Sequence, residues 1–278
     1  MTPSTRNRPS ISRAIAAPFH GLFELVFRSS CLLCGKSPSS SPVCPECASL
    51  FQRLGEACCA KCGRPTFEPS AVEDVRCFVC ETCLKERPHF DQAFSIFLYE
   101  GAIRNAILAF KYQRRFSIKD SLGPLFASNL PDRLRNGGPG NALGAELIIP
   151  VPLHVSRLRE REFNQSAILA NYLSKAINVP VQYEVLARIR ATEFQSTLAR
   201  AKRIANVKGA FKVTQRRVVE GANVLLVDDI FTCGATANEC AKVLKKAGAK
   251  SVVVGTLATP PLGHSGDDSD TEGEDVPL

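Results

Sequence analysis

The sequence is poor in several side chains that common enzyme classes and membrane proteins require. Its 278 residues include no tryptophan, one methionine, four tyrosines and four histidines. The histidines, at positions 20, 89, 154 and 264, form no nucleophile–histidine pair and no metalloprotease motif. Aromatic residues make up 7% of the chain, so it offers few of the stacking platforms that bind single-stranded nucleic acid. No apolar run approaches the roughly 18 residues of a membrane-spanning helix, and we expect no membrane span.

The start of the chain contains several arginines and no acidic residue before Glu24. An export signal would need an unbroken apolar stretch after them, but Pro18, His20 and Glu24 interrupt it. The spacing of the apolar residues instead predicts a basic lead with a short helix over residues 1–30. A transit peptide is the alternative.

Charge is distributed unevenly along the chain. The formal net charge is +8, with 45% hydrophobic and 22% charged residues, as in ordinary globular proteins. Residues 264–278 hold six acidic residues and no basic one, and we expect a disordered acidic tail over 263–278 because it has almost nothing to bury. Without those six acids, 35 basic residues stand against 21 acidic ones, a net charge of +14. This balance predicts phosphate-bearing partners or nucleic acid.

Cysteine is concentrated in one part of the chain. Ten of the 12 cysteines lie between positions 31 and 83, eight of them in four Cys-x-x-Cys pairs. Two such pairs supply the four thiolates of a tetrahedral zinc site. We therefore predict a double zinc ribbon over residues 31–87 with about two structural zinc ions. The candidate ligands are Cys31, Cys34, Cys44, Cys47, Cys59, Cys62, Cys80 and Cys83.

The cysteine pattern leaves alternatives open. Pairing of consecutive Cys-x-x-Cys units is the simplest reading, but a cross-braced arrangement would use the same residues. Cys58 and Cys77 are unassigned, and Cys77 could replace a ligand because it lies three residues before Cys80. A disulfide framework fits less well, because no export signal supports secretion. We expect a reducing compartment and a cytoplasmic location.

Residues 88–262 alternate the patterns of strands and helices. Compact apolar runs predict short buried strands near 146–153, 224–227 and 251–257. Apolar residues at helical spacing predict helices around 103–110, 169–176 and 240–247. This order predicts an α/β domain with a parallel sheet flanked by helices, in which ligands bind beyond the carboxyl ends of the strands.

The most informative segment is 224–236, where two acids and a small-residue loop follow an apolar strand. Backbone N–H groups at the start of the next helix can surround a 5-phosphate. The candidate 5-phosphate residues are Thr232, Cys233, Gly234, Ala235 and Thr236. Asp228 and Asp229 would repel a phosphate, so we expect their carboxylates to accept hydrogen bonds from ribose hydroxyls.

This segment resembles the phosphoribosyl pyrophosphate signature of type I phosphoribosyltransferases, with Cys233 in place of a loop threonine. The wider arrangement over residues 31–257 resembles the ComF family, also called GntX-like. These competence-associated proteins carry a double zinc ribbon and a phosphoribosyltransferase domain. Further family-like blocks lie at 99–101, 110–112, 151–154, 163–165 and 210–211. The family usually has a glycine where this chain has Glu162, a difference in both charge and backbone freedom.

The resemblance implies a type I phosphoribosyltransferase-like domain that binds phosphoribosyl pyrophosphate together with Mg²⁺. Transfer of the phosphoribosyl group would need an acceptor that no residue identifies, so enzymatic activity stays open and no catalytic residue is assigned. The candidates for binding pyrophosphate are Arg157, Arg159 and Arg161, with Lys111 as a weaker one.

Two other functions remain as hypotheses. The chain could be a competence or DNA-uptake factor that binds single-stranded DNA and keeps a regulatory or vestigial phosphoribosyl pyrophosphate site. The ribbons and the base-rich stretch over 153–217 would then hold the DNA backbone. Alternatively, the ribbons could dock a protein partner, such as another competence protein.

Overall fold

The computed structural model describes residues 30–36, 41–65, 78–112, 116–131, 144–192 and 200–261. The basic lead, the acidic tail and Cys77 lie outside these residues. Across the described ranges, no helix has both the length and the apolarity to cross a bilayer.

The central element is a four-stranded parallel sheet, which confirms the predicted fold class. Its strands are β1 (Gln92–Leu98), β2 (Leu147–Pro150), β5 (Asn223–Ile230) and β6 (Ser251–Thr259), in the order β1-β6-β5-β2. The three strands predicted from apolar runs are β2, β5 and β6. Strand β1 was not predicted, because its sequence, with Gln92 and Ser95 among apolar residues, neither alternates strictly nor forms a continuous apolar run.

Helices cover both faces of the sheet. They are α1 (Pro45–Ser49), α2 (Glu81–Glu86), α3 (Gly101–Tyr112), α4 (Lys119–Ser128), α5 (Val155–Arg161), α6 (Gln165–Ile177), α7 (Arg200–Val207), α8 (Arg216–Val219) and α9 (Ala235–Lys246). The three predicted helices correspond to α3, α6 and α9. Helix α6 is capped by Asn164, whose side chain accepts a hydrogen bond from the Ser166 amide at 3.0 Å.

A small second sheet lies beside the main one. Strands β3 (Leu186–Arg188) and β4 (Phe211–Val213) pair antiparallel. Strand β4 and helix α7 both pack against α9. This unit therefore adjoins the helix that follows the predicted phosphate loop.

The two groups of cysteines pack into opposite faces of the sheet. One core contains Cys31, Cys44 and Cys47 together with the side chains of α3, α4 and α6, whereas the other contains Cys59, Cys62, Cys80 and Cys83 together with α9. Leu225 belongs to the first core and Leu226 to the second. Because successive residues of a strand face opposite sides, these cores lie on opposite faces.

The chain between the two cysteine groups covers the edge of the sheet at β1. The Leu54 amide donates to the Ile96 carbonyl at 2.9 Å, and the Leu98 amide donates to the Gln52 carbonyl at 2.8 Å. The Ala93 amide in turn donates to the Lys61 carbonyl at 2.8 Å. The cysteine-rich segment thus supplies partners for backbone groups that an exposed edge strand would leave to solvent.

Candidate functional site

The carboxyl ends of β2 and β5 meet at one edge of the sheet. The strands are parallel neighbours with Pro150 opposite Val227, and the Val151 amide donates to the Val227 carbonyl at 2.9 Å. The two acids near the carboxyl end of β5 therefore lie beside the segment that follows β2. This is the edge at which parallel sheets bind their ligands.

Asp229 forms an ion pair with a lysine of helix α3. Its Oδ2 lies 2.9 Å from Nζ of Lys111, and both side chains are largely buried, with 12% and 16% exposed. Lys111 lies in the last turn of α3. The structure thus brings this pyrophosphate candidate into direct contact with one of the two ribose candidates.

Asp228 is in an environment that disfavours its charge. Burial and the neighbouring Asp229 carboxylate raise the pKa of Asp228 to about 7. The Ser166 hydroxyl donates to Oδ1 of Asp228 at 2.9 Å, and the Asp229 amide donates to the same atom at 3.0 Å. These bonds act in the opposite direction, since they stabilise the carboxylate. Near neutral pH Asp228 can therefore exist in either protonation state.

The predicted phosphate loop, residues 232–236, is anchored through Phe231, which follows β5. The Phe231 amide donates to the Ala258 carbonyl at 2.9 Å, and the Thr259 hydroxyl donates to the Phe231 carbonyl at 2.8 Å. Gly234 precedes α9 with a φ of +76°, and a Cβ there would lie 2.7 Å from the Phe231 ring. Only glycine fits without strain, because both the backbone conformation and the space exclude a side chain.

The remaining loop residues lie near the surface of the site. Thr232, Cys233 and Thr236 are half-buried, and Ala235 is buried as the first residue of α9. The first N–H groups of a helix have no acceptor within that helix, and its dipole favours an anion there. The predicted 5-phosphate residues therefore lie at a helix start that favours an anion.

The three candidate arginines lie on the short helix α5, which places them on different faces. Positions 157 and 161 are four apart and share one face, where both side chains are half-buried, whereas Arg159 is exposed. Glu162, which follows the helix, has a φ of +68°. It thus adopts the left-handed conformation that glycine would adopt without strain. Of these arginines, Arg157 and Arg161 are the ones that the structure groups together.

Sequence reasoning missed two residues of this site. Ser166, the donor to Asp228, directly follows the family-like block 163–165. Its position next to that block could have identified it as a site residue. The other is Arg188, whose guanidinium interacts electrostatically with Asp228 and Arg157. Burial lowers the pKa of Arg188, and its guanidinium carbon lies 5.4 Å from the centre of the Phe211 ring. No motif marks Arg188 within the base-rich stretch.

The eight candidate ligands form two clusters, each of which could hold a metal ion. Cys31, Cys34, Cys44 and Cys47 form the first cluster, and Cys59, Cys62, Cys80 and Cys83 form the second, with all Sγ atoms of a cluster within 4.8 Å of one another. The Sγ atoms of Cys34 and Cys44, and those of Cys62 and Cys80, are 3.8 Å apart. A tetrahedron with metal–sulfur bonds of about 2.3 Å has sulfur–sulfur edges of about 3.8 Å. Consecutive Cys-x-x-Cys pairs thus combine as predicted, in an arrangement consistent with two zinc ribbons rather than with a cross-braced site.

Backbone amides donate hydrogen bonds to sulfur atoms of both clusters, and such bonds favour the thiolate form. The Cys44 amide donates to Sγ of Cys31 at 3.4 Å, and the Cys80 amide donates to Sγ of Cys59 at 3.3 Å. Burial raises the pKa of Cys31, but hydrogen bonds from backbone amides outweigh it and lower the value to about 6. Cys58 belongs to neither cluster and donates to the Gly55 carbonyl at 3.3 Å. All cysteines in the described ranges are free of disulfides.

Comparison with known proteins identifies the domain that contains the site and the relatives of the chain. Residues 164–274 match the family model of the phosphoribosyl transferase domain. The chain is 30% identical to competence protein F of Haemophilus influenzae over 239 residues, which cover 86% of this chain and 93% of that protein. It is also 30% identical to DNA utilization protein YhgH of Salmonella typhimurium, over 77% of this chain and 89% of that protein. Among solved structures, hypoxanthine phosphoribosyltransferase from Trypanosoma cruzi in complex with the product IMP matches with 18% identity and a TM-score of 0.32, over 56% of this chain and 86% of that one.

Proposed function

The chain belongs to the family of competence protein F and DNA utilization protein YhgH, and we propose that it binds phosphoribosyl pyrophosphate together with Mg²⁺. One observation carries the proposal. Within the matched phosphoribosyl transferase domain, Asp228 and Asp229 lie near the carboxyl end of β5, and the loop at Gly234 then leads into α9. Acids that suit ribose hydroxyls and a helix start that suits a phosphate thus follow one another along the chain.

Each part of the site has a role in this proposal. The loop from Thr232 to Thr236 holds the 5-phosphate through its N–H groups and hydroxyls, and the two acids accept hydrogen bonds from the ribose hydroxyls. Arg157 and Arg161 hold the pyrophosphate, and Mg²⁺ would neutralise part of its charge. Lys111 fixes the Asp229 carboxylate through their ion pair.

If a phosphoribosyl group is transferred, these residues contribute by holding the sugar in place and by stabilising the charge that develops on it and on the leaving pyrophosphate. No residue is assigned as a proton donor or acceptor. None of the described residues indicates which molecule would accept the phosphoribosyl group.

Calorimetry with phosphoribosyl pyrophosphate and Mg²⁺ tests the binding. The wild type should release or absorb heat, whereas Asp228→Asn and Asp229→Asn should bind at least tenfold more weakly, because each loses a charged acceptor. Asp91→Asn is the matched control, since Asp91 precedes β1 and lies at the amino-terminal edge of the same sheet. A wild type without measurable binding would refute the proposal. Release of pyrophosphate with a panel of nucleobases then separates an enzyme from a binding protein.

We further propose that each cysteine cluster holds one structural zinc ion. The sulfur–sulfur distances and the amide hydrogen bonds support this choice of metal. Zinc there would stabilise a segment that has little apolar core of its own. Elemental analysis of the purified protein should give about two zinc ions per chain, and a metal-free folded protein would exclude the ribbons.

Single-stranded DNA is the second candidate ligand. The unit around β3 and β4 supports it, because its exposed basic side chains include those of Arg190, Lys208, Lys212, Arg216 and Arg217. Neutralisation of phosphates predicts that affinity for an oligonucleotide falls steeply with added salt. Fluorescence anisotropy with labelled oligo(dT) should show this fall, with a shallower salt dependence for Lys212→Ala/Arg216→Ala/Arg217→Ala. A triple variant with unchanged affinity would remove this surface from the hypothesis.

A further inference from the structure

One arginine joins the phosphate loop to the second cysteine cluster. Nη1 of Arg200, the first residue of α7, donates to the Cys233 carbonyl at 3.1 Å. Nη2 of the same guanidinium lies 2.5 Å from Oε2 of Glu86. Glu86 is the last residue of α2, the helix that begins after Cys80 and contains Cys83. A single side chain therefore spans the loop and a helix built on two ligands of the second cluster.

We propose that Arg200 is a positioning residue through which the second cysteine cluster holds the phosphate loop in its anion-binding conformation. The inference rests on the proposed binding of a sugar phosphate at that loop. It adds that the second cluster contributes to this binding site as well as to folding.

The geometry of the peptide bond explains why holding one carbonyl matters. In a planar trans peptide, the carbonyl of Cys233 and the N–H of Gly234 point in opposite directions. Because Arg200 fixes the carbonyl on the side of the second cluster, the Gly234 N–H must point away from that cluster. Glycine tolerates φ values of either sign, so the peptide between Cys233 and Gly234 could rotate at little steric cost. An external hydrogen bond is what selects one orientation.

Residues near the second cluster also contact Phe231 and helix α9. The Phe90 and Phe231 rings meet edge to face with centres 5.8 Å apart, and the Arg64 guanidinium lies 5.7 Å from the centre of the Phe231 ring. The His89 amide donates to the Asn238 side chain of α9 at 2.7 Å. These contacts hold the loop against the second cluster. The hydrogen bond from Arg200 orients the peptide between Cys233 and Gly234.

The bridge lies at the wall of a cavity of about 460 Å³ between α2, α7 and α9. The side chains of Arg200 and Glu86 are 35% and 48% exposed, so water screens the ion pair and its own energy is small. The expected effect of breaking the bridge is therefore on the conformation of the loop rather than on the stability of the fold. Lys242 lines the same cavity and interacts with Glu239, which makes it a matched control.

Calorimetry with phosphoribosyl pyrophosphate and Mg²⁺ measures the first consequence. Arg200→Ala should bind about tenfold more weakly, the equivalent of one charge-assisted hydrogen bond. Arg200→Lys should restore part of the affinity, because a lysine can still reach one partner but not both. Lys242→Ala should bind like the wild type. Wild-type affinity in Arg200→Ala would overturn the proposal.

A measurement without ligand separates this inference from the proposed function. Alkylation of Cys233 by N-ethylmaleimide, followed by mass spectrometry of the peptide, reports how the loop is held. Arg200→Ala should accelerate the reaction severalfold at unchanged zinc content, and Lys242→Ala should not. If the wild type fails to bind the sugar phosphate but this acceleration is seen, the binding proposal fails and the bridge stands. An unchanged alkylation rate would remove the bridge itself.

A double-mutant cycle tests whether the coupling passes through Glu86. Glu86→Gln leaves all four thiolates in place and should weaken ligand binding in the wild-type background. In the Arg200→Ala background the same change should have no further effect. Equal losses of affinity in both backgrounds would show that Glu86 acts by another route and would overturn the link to the second cluster.

Discussion

Replacing Asp228 by asparagine should stabilise the protein while it weakens ligand binding. Burial and the Asp229 carboxylate raise the pKa of Asp228 from 3.8 to about 7. A shift of about three units corresponds to roughly 4 kcal/mol at 1.36 kcal/mol per unit, which is an upper limit on the free energy that the folded state loses by ionising this group. Asparagine removes the charge and keeps an oxygen that can accept from Ser166.

The raised pKa of Asp228 determines how the stability of the protein changes with pH. Since the folded protein binds the proton of Asp228 more tightly than the unfolded chain, stability falls as the pH rises between about 4 and 7. Above pH 7 Asp228 is ionised in both states, and the loss of folding free energy no longer changes with pH. The advantage of Asp228→Asn should therefore grow from pH 4 to 7 and stay constant above. We expect it to reach about 2 kcal/mol, which for a chain of this size raises the melting temperature by roughly 4–8 °C.

Thermal unfolding without ligand, followed by circular dichroism at pH 5 and pH 8, measures this difference. Asp229→Asn is the matched control, because it removes the carboxylate 2.9 Å from Lys111 and should lower the melting temperature. An Asp228→Asn variant no more stable than the wild type at pH 8 would refute the reasoning. So would a gain that is equal at both values of pH, since it would not arise from ionisation.

Three further predictions concern the same site and the clusters. The affinity for phosphoribosyl pyrophosphate, measured by calorimetry, should fall as the pH is lowered from 8 to 6, because Asp228 takes up a proton. Ser166→Ala removes a hydrogen bond that lowers the pKa of Asp228, so the pH at which half of this loss has occurred should be higher in that variant. Gly234→Ala should cost about 1–3 kcal/mol in chemical denaturation and abolish ligand binding, because its φ is +76° and its Cβ would contact the Phe231 ring. Removal of metal by a chelator should lower the thermal midpoint of the whole protein and abolish near-ultraviolet dichroism, since both clusters lie in its cores; an unchanged midpoint would contradict this.

The parts of the site that the sequence predicted are those encoded in consecutive residues. The acids, the loop glycine and the helix start at 228–236 follow one another, so their relation does not depend on the rest of the fold. The Cys-x-x-Cys pairs are local in the same way, and the structure confirms that consecutive pairs combine into clusters. The roles of the individual ligand-binding residues stay predictions.

The contacts that the sequence did not predict join distant segments. Ser166 reaches Asp228 across 62 positions, and Arg200 reaches Glu86 across 114. No periodicity or motif links such residues, because their proximity is a product of strand order and helix packing. For the same reason three arginines at alternate positions looked equivalent in the sequence, and helical geometry separates Arg159 from Arg157 and Arg161.

The position of the clusters changes how the metal content relates to function. Composition separates residues 31–87 from 88–262, and this boundary stays a prediction, yet seven of the eight clustered cysteines are buried in a core shared with the sheet, whereas Cys34 is exposed. The segment between the clusters also pairs with β1. If the second cluster holds a metal as proposed, that metal would stabilise α2, the support of Phe231 and the orientation of the Cys233 carbonyl together. Changes in metal occupancy should thus reach the phosphate loop by a short structural path, on the opposite face of the sheet from the first cluster.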